Sequence, residues 1–200
     1  CTRNCTFCAV DKNSDNLFEP DILEPENIAK IVNEMNLKHV VITTVTRDDL
    51  TDGGAEQFVK VIQTIREKCS KEVSIEVLIS DLQGNDDALQ KILDAKPDIL
   101  NHNVETIQRL YSQVRPMADY NISLNLLKKA KKENILTKSG FMVGLGETKQ
   151  EIIKLMEDLK KSKVDIVTIG QYIAPSANHY PVKEYIHPDI FSEYKQEGIQ

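Results

Sequence analysis

The chain has 200 residues, of which 40% are hydrophobic and 28% charged, and its formal net charge is −6. This length favours a single domain over residues 1–200, and the composition is typical of a folded globular protein rather than a disordered one. The acidic balance argues against a nucleic-acid partner. No apolar stretch approaches the roughly 20 residues that span a bilayer, which argues against a membrane protein.

The chain opens on three cysteines, Cys1, Cys5 and Cys8, spaced as C-x3-C-x2-C. This crowding is unlike a disulfide framework and favours a reducing compartment, so we expect the cytoplasm or an organelle matrix. Three thiolates on one short loop lie close enough to bind a polynuclear metal centre. Because a [4Fe–4S] cluster ordinarily takes four cysteines, three would leave one iron open to another ligand.

Two other interpretations of these cysteines stay open. One is a zinc site completed by His39 or His102, although zinc loops normally pair C-x2-C with a second, distant pair. The other is that the cysteines are unrelated. Cys69 falls within a predicted amphipathic helix, where we expect a small core residue rather than a ligand.

Beyond the cysteines, predicted helices alternate with predicted strands rich in Val and Ile. The strands are predicted at residues 39–45, 73–80, 98–104, 137–143 and 165–173. The helices are predicted at residues 25–36, 55–69, 86–95, 122–133 and 149–162, and the tail from residue 180 as a loop followed by the start of a helix. Such alternation predicts an α/β fold with parallel strands, either an open doubly wound sheet or a (β/α) barrel.

Polar residues and glycines cluster near the ends of the predicted strands, where barrels place their active sites. Period-two alternation puts Asn103 and Glu105 on one face, while His102 points the other way into a structural role. Arg115 lies in a connecting segment, where we expect a surface position; the alternative is an ion pair with a carboxylate. Other candidates near strands are Arg47, Asp48, Asp49, Asp52, Gly53, Gly54, Asn101, Lys138, Ser139, Gly144, Gly146, Glu147, Gln171 and Tyr172.

With Phe7 as the aromatic, the motif C-x3-C-x-aromatic-C resembles the signature of the radical S-adenosylmethionine (SAM) superfamily. Longer segments are similar to the lipoyl synthase family and cover nearly the whole chain. They are VITTVTRDDLTDGGAEQF at 41–58, PDILNHNVETIQRLY at 97–111, VRPMADYNISLNLLKKAK at 114–131, TKSGFMVGLGET at 137–148 and VDIVTIGQYIAPSANHYPV at 164–182. Several long motifs in the right order are more specific than the cysteine motif alone.

The resemblance implies a partial (β/α) barrel of the TIM type, with about six units and the first strand missing. It implies a [4Fe–4S] cluster on Cys1, Cys5 and Cys8, whose open iron chelates SAM and whose electron yields a 5′-deoxyadenosyl radical. Phe7 would flank the adenine. The other cofactor-binding residues implied are Asp52, Gly53, Gly54, Asn103 and Glu105, and no catalytic side chain is assigned.

The reaction implied by the family is sulfur insertion at carbons 6 and 8 of an octanoyl chain, which makes the lipoyl cofactor. The octanoyl chain is attached to a carrier protein, either a lipoyl domain or a glycine cleavage H protein, and an electron donor is required. The family also carries an auxiliary [4Fe–4S] cluster as sulfur source, bound by an upstream cysteine triplet and a serine in a C-terminal tail; both lie outside these 200 residues. The alternatives are another radical SAM enzyme on this scaffold, or a non-enzymatic iron–sulfur redox or sensor protein.

Overall fold

The computed structural model describes residues 1–12 and 17–199, and its elements alternate as the sequence predicts. Within these residues five strands form one parallel sheet. The strands are β1 His39–Thr43, β2 Ser74–Leu78, β3 Ile99–Asn101, β4 Leu136–Val143 and β5 Ile166–Gln171. The helices are α1 Glu24–Glu34, α2 Ala55–Lys68, α3 Asp86–Asp94, α4 Tyr111–Val114, α5 Tyr120–Lys132, α6 Lys149–Lys161 and α7 Pro188–Ile199.

The strand order resolves the choice that periodicity leaves open. The strands lie side by side in chain order, β1-β2-β3-β4-β5. A doubly wound sheet reverses its order at a switch point, whereas a barrel adds each strand beside the previous one. The sheet is therefore part of a (β/α) barrel, and all five carboxyl ends meet at one edge, the carboxyl edge.

One face of the sheet packs against the helices. Ile75 and Val77 of β2 are fully buried, as are Ile62 of α2 and Leu127 of α5, and they belong to one hydrophobic core. Apolar positions recur on each helix at the spacing that gives an amphipathic face. The opposite face forms the concave inner surface of the partial barrel.

A buried carboxylate lies on this inner face. Glu76 of β2 accepts hydrogen bonds from Asn101 Nδ2 at 2.8 Å and from Lys138 Nζ at 3.0 Å, and His39 Nε2 lies 3.5 Å from it. These side chains come from β1 to β4, so the ion pair and hydrogen bonds join four strands below the carboxyl edge. Lys138 therefore neutralises the buried Glu76 carboxylate on the inner face of the sheet.

The described elements differ from the predicted ones mainly at their ends. β3 stops at Asn101, so that Asn103 and Glu105 lie in the loop that follows. Glu105 still forms an isolated bridge with Phe141 of β4. The short helix α4 was not predicted, and α7 confirms the helix expected in the tail. Along the described residues, no helix has both the length and the apolar character needed to cross a membrane.

Candidate active site

The three cysteines lie on a loop, the cysteine loop (residues 1–8), that docks on the carboxyl edge. Thr2 N–H donates to the carbonyl of Thr46, after β1, at 3.0 Å. Thr6 N–H donates to the carbonyl of Val114, the last residue of α4, at 3.0 Å, and the Thr6 carbonyl accepts from Tyr180 N–H at 2.9 Å. Between these contacts the Arg3 side chain is buried. The loop is thus tied to segments that follow β1, β3 and β5.

All three thiols are free and partly exposed. Cys8 N–H donates to the carbonyl of Cys5 at 3.3 Å, which forms a turn, and Val10 N–H points at Cys8 Sγ at 3.5 Å. Among residues 1–12 and 17–199, no three His, Cys, Asp or Glu side chains converge as ligands of a single metal ion do. A four-iron cluster takes each cysteine on a different iron, so its ligands need not converge on one point.

Arg115 is buried beside Cys5, at 8% exposure, and the expected surface position is therefore wrong. Its Nη1 donates to the carbonyls of Asn103 at 3.1 Å and Val104 at 3.3 Å, and the guanidinium lies over the Tyr111 ring at 5.4 Å. Within the described part of the chain its buried Nε has no hydrogen-bond partner. Burial raises the pKa of the Cys5 thiol, and the Arg115 guanidinium opposes that rise.

Asn103 and Glu105 lie beside Arg115, partly buried. Burial raises the pKa of the Glu105 carboxyl group, against the influence of Arg115 and of a hydrogen bond with Asn103. Asn103 reaches across β4, because a methyl group on Gly140 would lie 2.8 Å from Asn103 Oδ1 and 2.7 Å from Thr168 Oγ1. Gly140 thus leaves space for polar side chains of β5 and of the segment after β3.

The Asp52-Gly53-Gly54 turn caps helix α2. Asp52 accepts hydrogen bonds from Gly54 N–H at 2.9 Å and Glu56 N–H at 2.8 Å, and Gly54 adopts a left-handed φ of +89° as the N-cap. A methyl group on Gly53 would lie 2.9 Å from Leu82 Cδ2. Capping and close packing account for these residues without a ligand, and their cofactor-binding role stays a prediction.

His102 points away from this group, as predicted. It is 1% exposed, and its ring nitrogens contact the carbonyl of Ile79 and the hydroxyl of Ser123, both at 2.9 Å. Burial lowers the pKa of His102 to about 4, and Arg115 contributes to the same effect. His102 is therefore a neutral structural residue between the sheet and α5.

The candidates after β4 and β5 form turns and hold the C-terminal segment. The Glu147 carboxylate accepts from Gly144 N–H at 2.5 Å and Leu145 N–H at 2.9 Å, which closes its own turn, and Gly146 has a φ of +105°. Gln171 Oε1 accepts from Ile186 N–H at 2.8 Å. Tyr172 Oη donates to the Tyr180 carbonyl at 2.7 Å.

Three other residues considered from the sequence make contacts elsewhere in the fold. Arg47 pairs with Asp49 at 2.8 Å, and Val104 N–H donates to Ser139 Oγ at 3.4 Å. Cys69 Sγ donates to the Ala29 carbonyl at 3.4 Å.

Comparison with known proteins identifies the family. A model described as the radical SAM superfamily matches residues 1–159. The chain is 54% identical over 202 residues to a lipoyl synthase of Alkaliphilus metalliredigens, covering 100% of the chain and 69% of that protein. It is 54% identical over 201 residues to a lipoyl synthase of Caldicellulosiruptor saccharolyticus, covering 100% and 70%. The chain belongs to the lipoyl synthase family of radical SAM enzymes.

Solved structures of low sequence identity share the fold of this chain. The chain aligns with the crystal structure of methylornithine synthase at a TM-score of 0.75 and 16% identity, covering 100% of this chain and 59% of that one. It aligns with Streptococcus suis SuiB bound to S-adenosylmethionine at 0.73 and 13% identity, covering 100% and 45%. These neighbours confirm the partial barrel. Membership of the family implies a [4Fe–4S] cluster and SAM, as predicted.

The residues of the cysteine loop fit such a cluster in their chemistry. Three free thiols share one docked loop, and a backbone N–H points at Cys8 Sγ. Arg115 Nε, which has no partner among the described residues, offers a donor to an anionic group beside Cys5. Hydrogen bonds to cluster sulfur are a usual means of tuning such centres. Phe7, which belongs to this loop, is partly buried and packs against the core.

Some residues of the site were missed from the sequence. Gly140 and Thr168 lie within strands, and a glycine inside a strand that otherwise carries large side chains often marks a close approach. That signal was available at Gly140. Arg3 and Asp81 carried no comparable signal, because an isolated charged residue gives no indication of a partner distant in sequence.

Proposed function

We propose that this chain is the radical-generating part of a lipoyl synthase, and that Cys1, Cys5 and Cys8 hold its [4Fe–4S] cluster with one iron open to SAM. The observation that carries the proposal is the docking of the cysteine loop on the carboxyl edge, where barrels assemble their active sites. The cluster, when bound, supplies the electron for reductive cleavage of SAM. The chain's own residues bind, orient and enclose the reactants.

Arg115 lies beside Cys5 within the proposed site. Its guanidinium is fixed by the carbonyls of Asn103 and Val104, so its charge stays beside Cys5 at no further ordering cost. Its Nε, which has no partner in the part of the chain that the structure describes, can donate to an anion, either a thiolate of the cluster or the carboxylate of the SAM methionine. Burial of Arg115 away from bulk water strengthens either interaction.

Asn103 and Glu105, which lie beside Arg115, offer polar atoms to SAM. The amide of Asn103 can donate and accept, and the Glu105 carboxyl group accepts hydrogen bonds from hydroxyl or ammonium groups when ionised. Gly140 supports this role, because any larger residue would occupy the space over β4. Phe7, Asp52, Gly53 and Gly54 complete the proposed SAM-binding residues, with Phe7 against the adenine.

The substrate follows from the relatives' shared name, lipoyl synthase. We assign to the whole enzyme sulfur insertion at carbons 6 and 8 of an octanoyl chain on a lipoyl domain or H protein, with electrons from a separate donor. For the whole enzyme we also propose an auxiliary [4Fe–4S] cluster as the sulfur source, and we propose that residues 1–200 form a single domain. A cytoplasmic location fits a protein with free thiols and stays a prediction.

The test is anaerobic reconstitution of the intact protein with iron and sulfide, followed by electron paramagnetic resonance (EPR) of the reduced protein with and without SAM. We expect a reduced [4Fe–4S] signal whose shape changes when SAM is added. Cys5→Ser should lose the component of the signal that responds to SAM, while the signal of the auxiliary cluster remains. Cys69→Ser, the matched control at the C-cap of α2, should keep the SAM-responsive component.

The outcomes separate the alternatives. A cluster signal indifferent to SAM would contradict the proposal and favour an electron carrier or sensor. A colourless protein that takes up zinc through the three cysteines would also contradict it. A SAM-responsive cluster without sulfur insertion into an octanoylated H protein, with the auxiliary cluster also reconstituted, would indicate another radical SAM enzyme.

A further inference from the structure

We propose that Arg3, Asp48 and Asp81 form a buried clamp, the Arg3 clamp, which positions the cysteine loop before any cluster binds. Arg3 Nε and Nη2 donate to the two oxygens of Asp48 at 2.7 and 3.0 Å. Its Nη1 and Nη2 donate to the two oxygens of Asp81 at 2.7 and 2.5 Å. One guanidinium thus makes two bidentate contacts from between Cys1 and Cys5.

The two carboxylates come from different parts of the sheet. Asp48 follows β1, and its N–H donates to Thr2 Oγ1 at 3.0 Å, so it contacts the cysteine loop a second time. Asp81 follows β2 and is 2% exposed. Arg3 therefore joins the loop to two neighbouring strands, and any displacement of the loop would break contacts on both.

The turn after β2 is built around Asp81. Leu82 and Gln83 adopt left-handed φ angles of +49° and +52°, which are costly for residues other than glycine. Asp81 Oδ1 accepts from Gln83 N–H at 3.0 Å, and the Leu82 side chain packs closely against Gly53. Such a conformation persists only where its surroundings enforce it, so the position of Asp81 is fixed from several sides.

Only arginine suits this position. The side chain is 4% exposed, so its charge is compensated by direct contacts rather than by water. The planar guanidinium presents donors in a rigid fork that matches two carboxylates at once, whereas a lysine ammonium provides a single point of contact. We therefore classify Arg3 as a positioning residue, which acts on the cluster through Cys1 and Cys5.

The role of the clamp toward a cluster rests on the proposed function, but its effect on the loop can be measured without one. Hydrogen exchange is followed in the cluster-free intact protein, in the peptide that contains Cys5. We expect exchange to be about tenfold faster or more in Arg3→Lys, because charge-assisted hydrogen bonds are lost while the charge stays. Asp81→Asn should act more strongly than Asp48→Asn, since the side-chain exposures are 2% and 13%.

The matched control is Arg66→Lys. Arg66 also donates to a carboxylate, Asp98, at 2.7 Å and to a carbonyl, that of Val73, at 2.7 Å, but at the opposite edge of the sheet. Its replacement should leave exchange in the cysteine loop unchanged. If Arg3→Lys does not fold, Asp48→Asn carries the same comparison, because it keeps the better-buried pair with Asp81.

The second readout is the rate at which a ferrous chelator removes the SAM-responsive EPR signal of the reconstituted intact protein, in variants shown to be folded by circular dichroism. Arg3→Lys should lose that signal about tenfold faster than wild type and Arg66→Lys at the wild-type rate. Unchanged loop exchange or unchanged release in Arg3→Lys would overturn the inference. A wild-type protein that takes up no cluster would instead contradict the proposed function, and exchange alone would then decide on the clamp.

Discussion

Replacement of Gly140 by alanine tests whether the space over β4 is required. The added methyl carbon would lie 2.7 Å from Thr168 Oγ1 and 2.8 Å from Asn103 Oδ1, about 0.6 to 0.7 Å inside an ordinary carbon–oxygen contact of about 3.4 Å. Two short side chains on opposite sides must both move. Arg115 binds the backbone carbonyl of Asn103, so the adjustment must come from the side-chain amide of Asn103 itself. Overpacking of this kind costs about 1–3 kcal/mol of unfolding free energy.

Urea denaturation measures that loss, and titration of the reconstituted protein with SAM measures the effect on binding. Displacement of Asn103 should weaken SAM binding about fivefold, the equivalent of one hydrogen bond. Gly170→Ala on β5 is the matched control, because a methyl group there meets nothing within 4 Å. It should leave stability unchanged or slightly raised, since alanine reduces the entropy of the unfolded chain. Equal stabilities for the two alanine variants would refute the reasoning.

Three further predictions concern residues around the site. Glu76→Gln should lower the unfolding free energy measured in urea by about 2 kcal/mol, because Lys138 loses its buried ionic partner. Burial opposes ionisation of Glu76, but hydrogen bonds from Asn101 and Lys138 outweigh it and lower the pKa of the carboxyl group. The stabilisation that Glu76 gives should therefore vanish as the pH falls through that lowered pKa. Burial lowers the pKa of His102 to about 4, so the unfolded chain binds a proton at a higher pH than the folded one does. The free energy of unfolding should therefore decrease as the pH falls from about 6.5 to about 4, by up to about 1.4 kcal/mol per pH unit. His102→Gln should reduce this slope, and an equal slope in the variant and the wild type would contradict the prediction. Gly144→Ala should release the C-terminal segment to limited proteolysis, since its methyl group would overlap the Gln171 amide and the Glu184 carbonyl.

The fold could be predicted from sequence because its signals are local. Val- and Ile-rich runs alternate with amphipathic helical stretches, and the observed bounds differ from the predicted ones by a few residues at most strand ends. Period-two alternation also separated His102 from Asn103 correctly, although β3 had already ended at Asn101. The alternation of side-chain directions thus continues beyond the end of β3, because the segment after it still forms a bridge to β4 at Glu105.

The environment of the site could not be predicted from sequence, because it depends on contacts between distant segments. From the sequence, Arg115 is expected at the surface. In the structure its guanidinium donates to three acceptors near the end of β3 and lies over the aromatic ring of Tyr111. The Asp52 carboxylate caps α2, a use that competes with the ligand role suggested by the family resemblance. In both cases the residue type was informative, but its partner was fixed only by the fold.

Backbone strain supports the placement of the site at the carboxyl edge. Among the described residues, seven other than glycine have positive φ angles. Four of them, Asn36, Lys96, Asn134 and Lys163, directly follow the C-caps of helices, where a left-handed residue is ordinary. The other three, Leu82, Gln83 and Glu105, end no α-helix.

These three residues follow β2 and β3, at the carboxyl edge on which the cysteine loop docks. Two of them shape the turn that holds Asp81 against Arg3, and the third brings the Glu105 carboxyl group under the influence of Arg115. Unusual backbone conformations that helix ends do not require are retained where they position particular side chains. The strain therefore falls on the residues that position the cysteine loop and surround Cys5, independently of the cysteine motif itself.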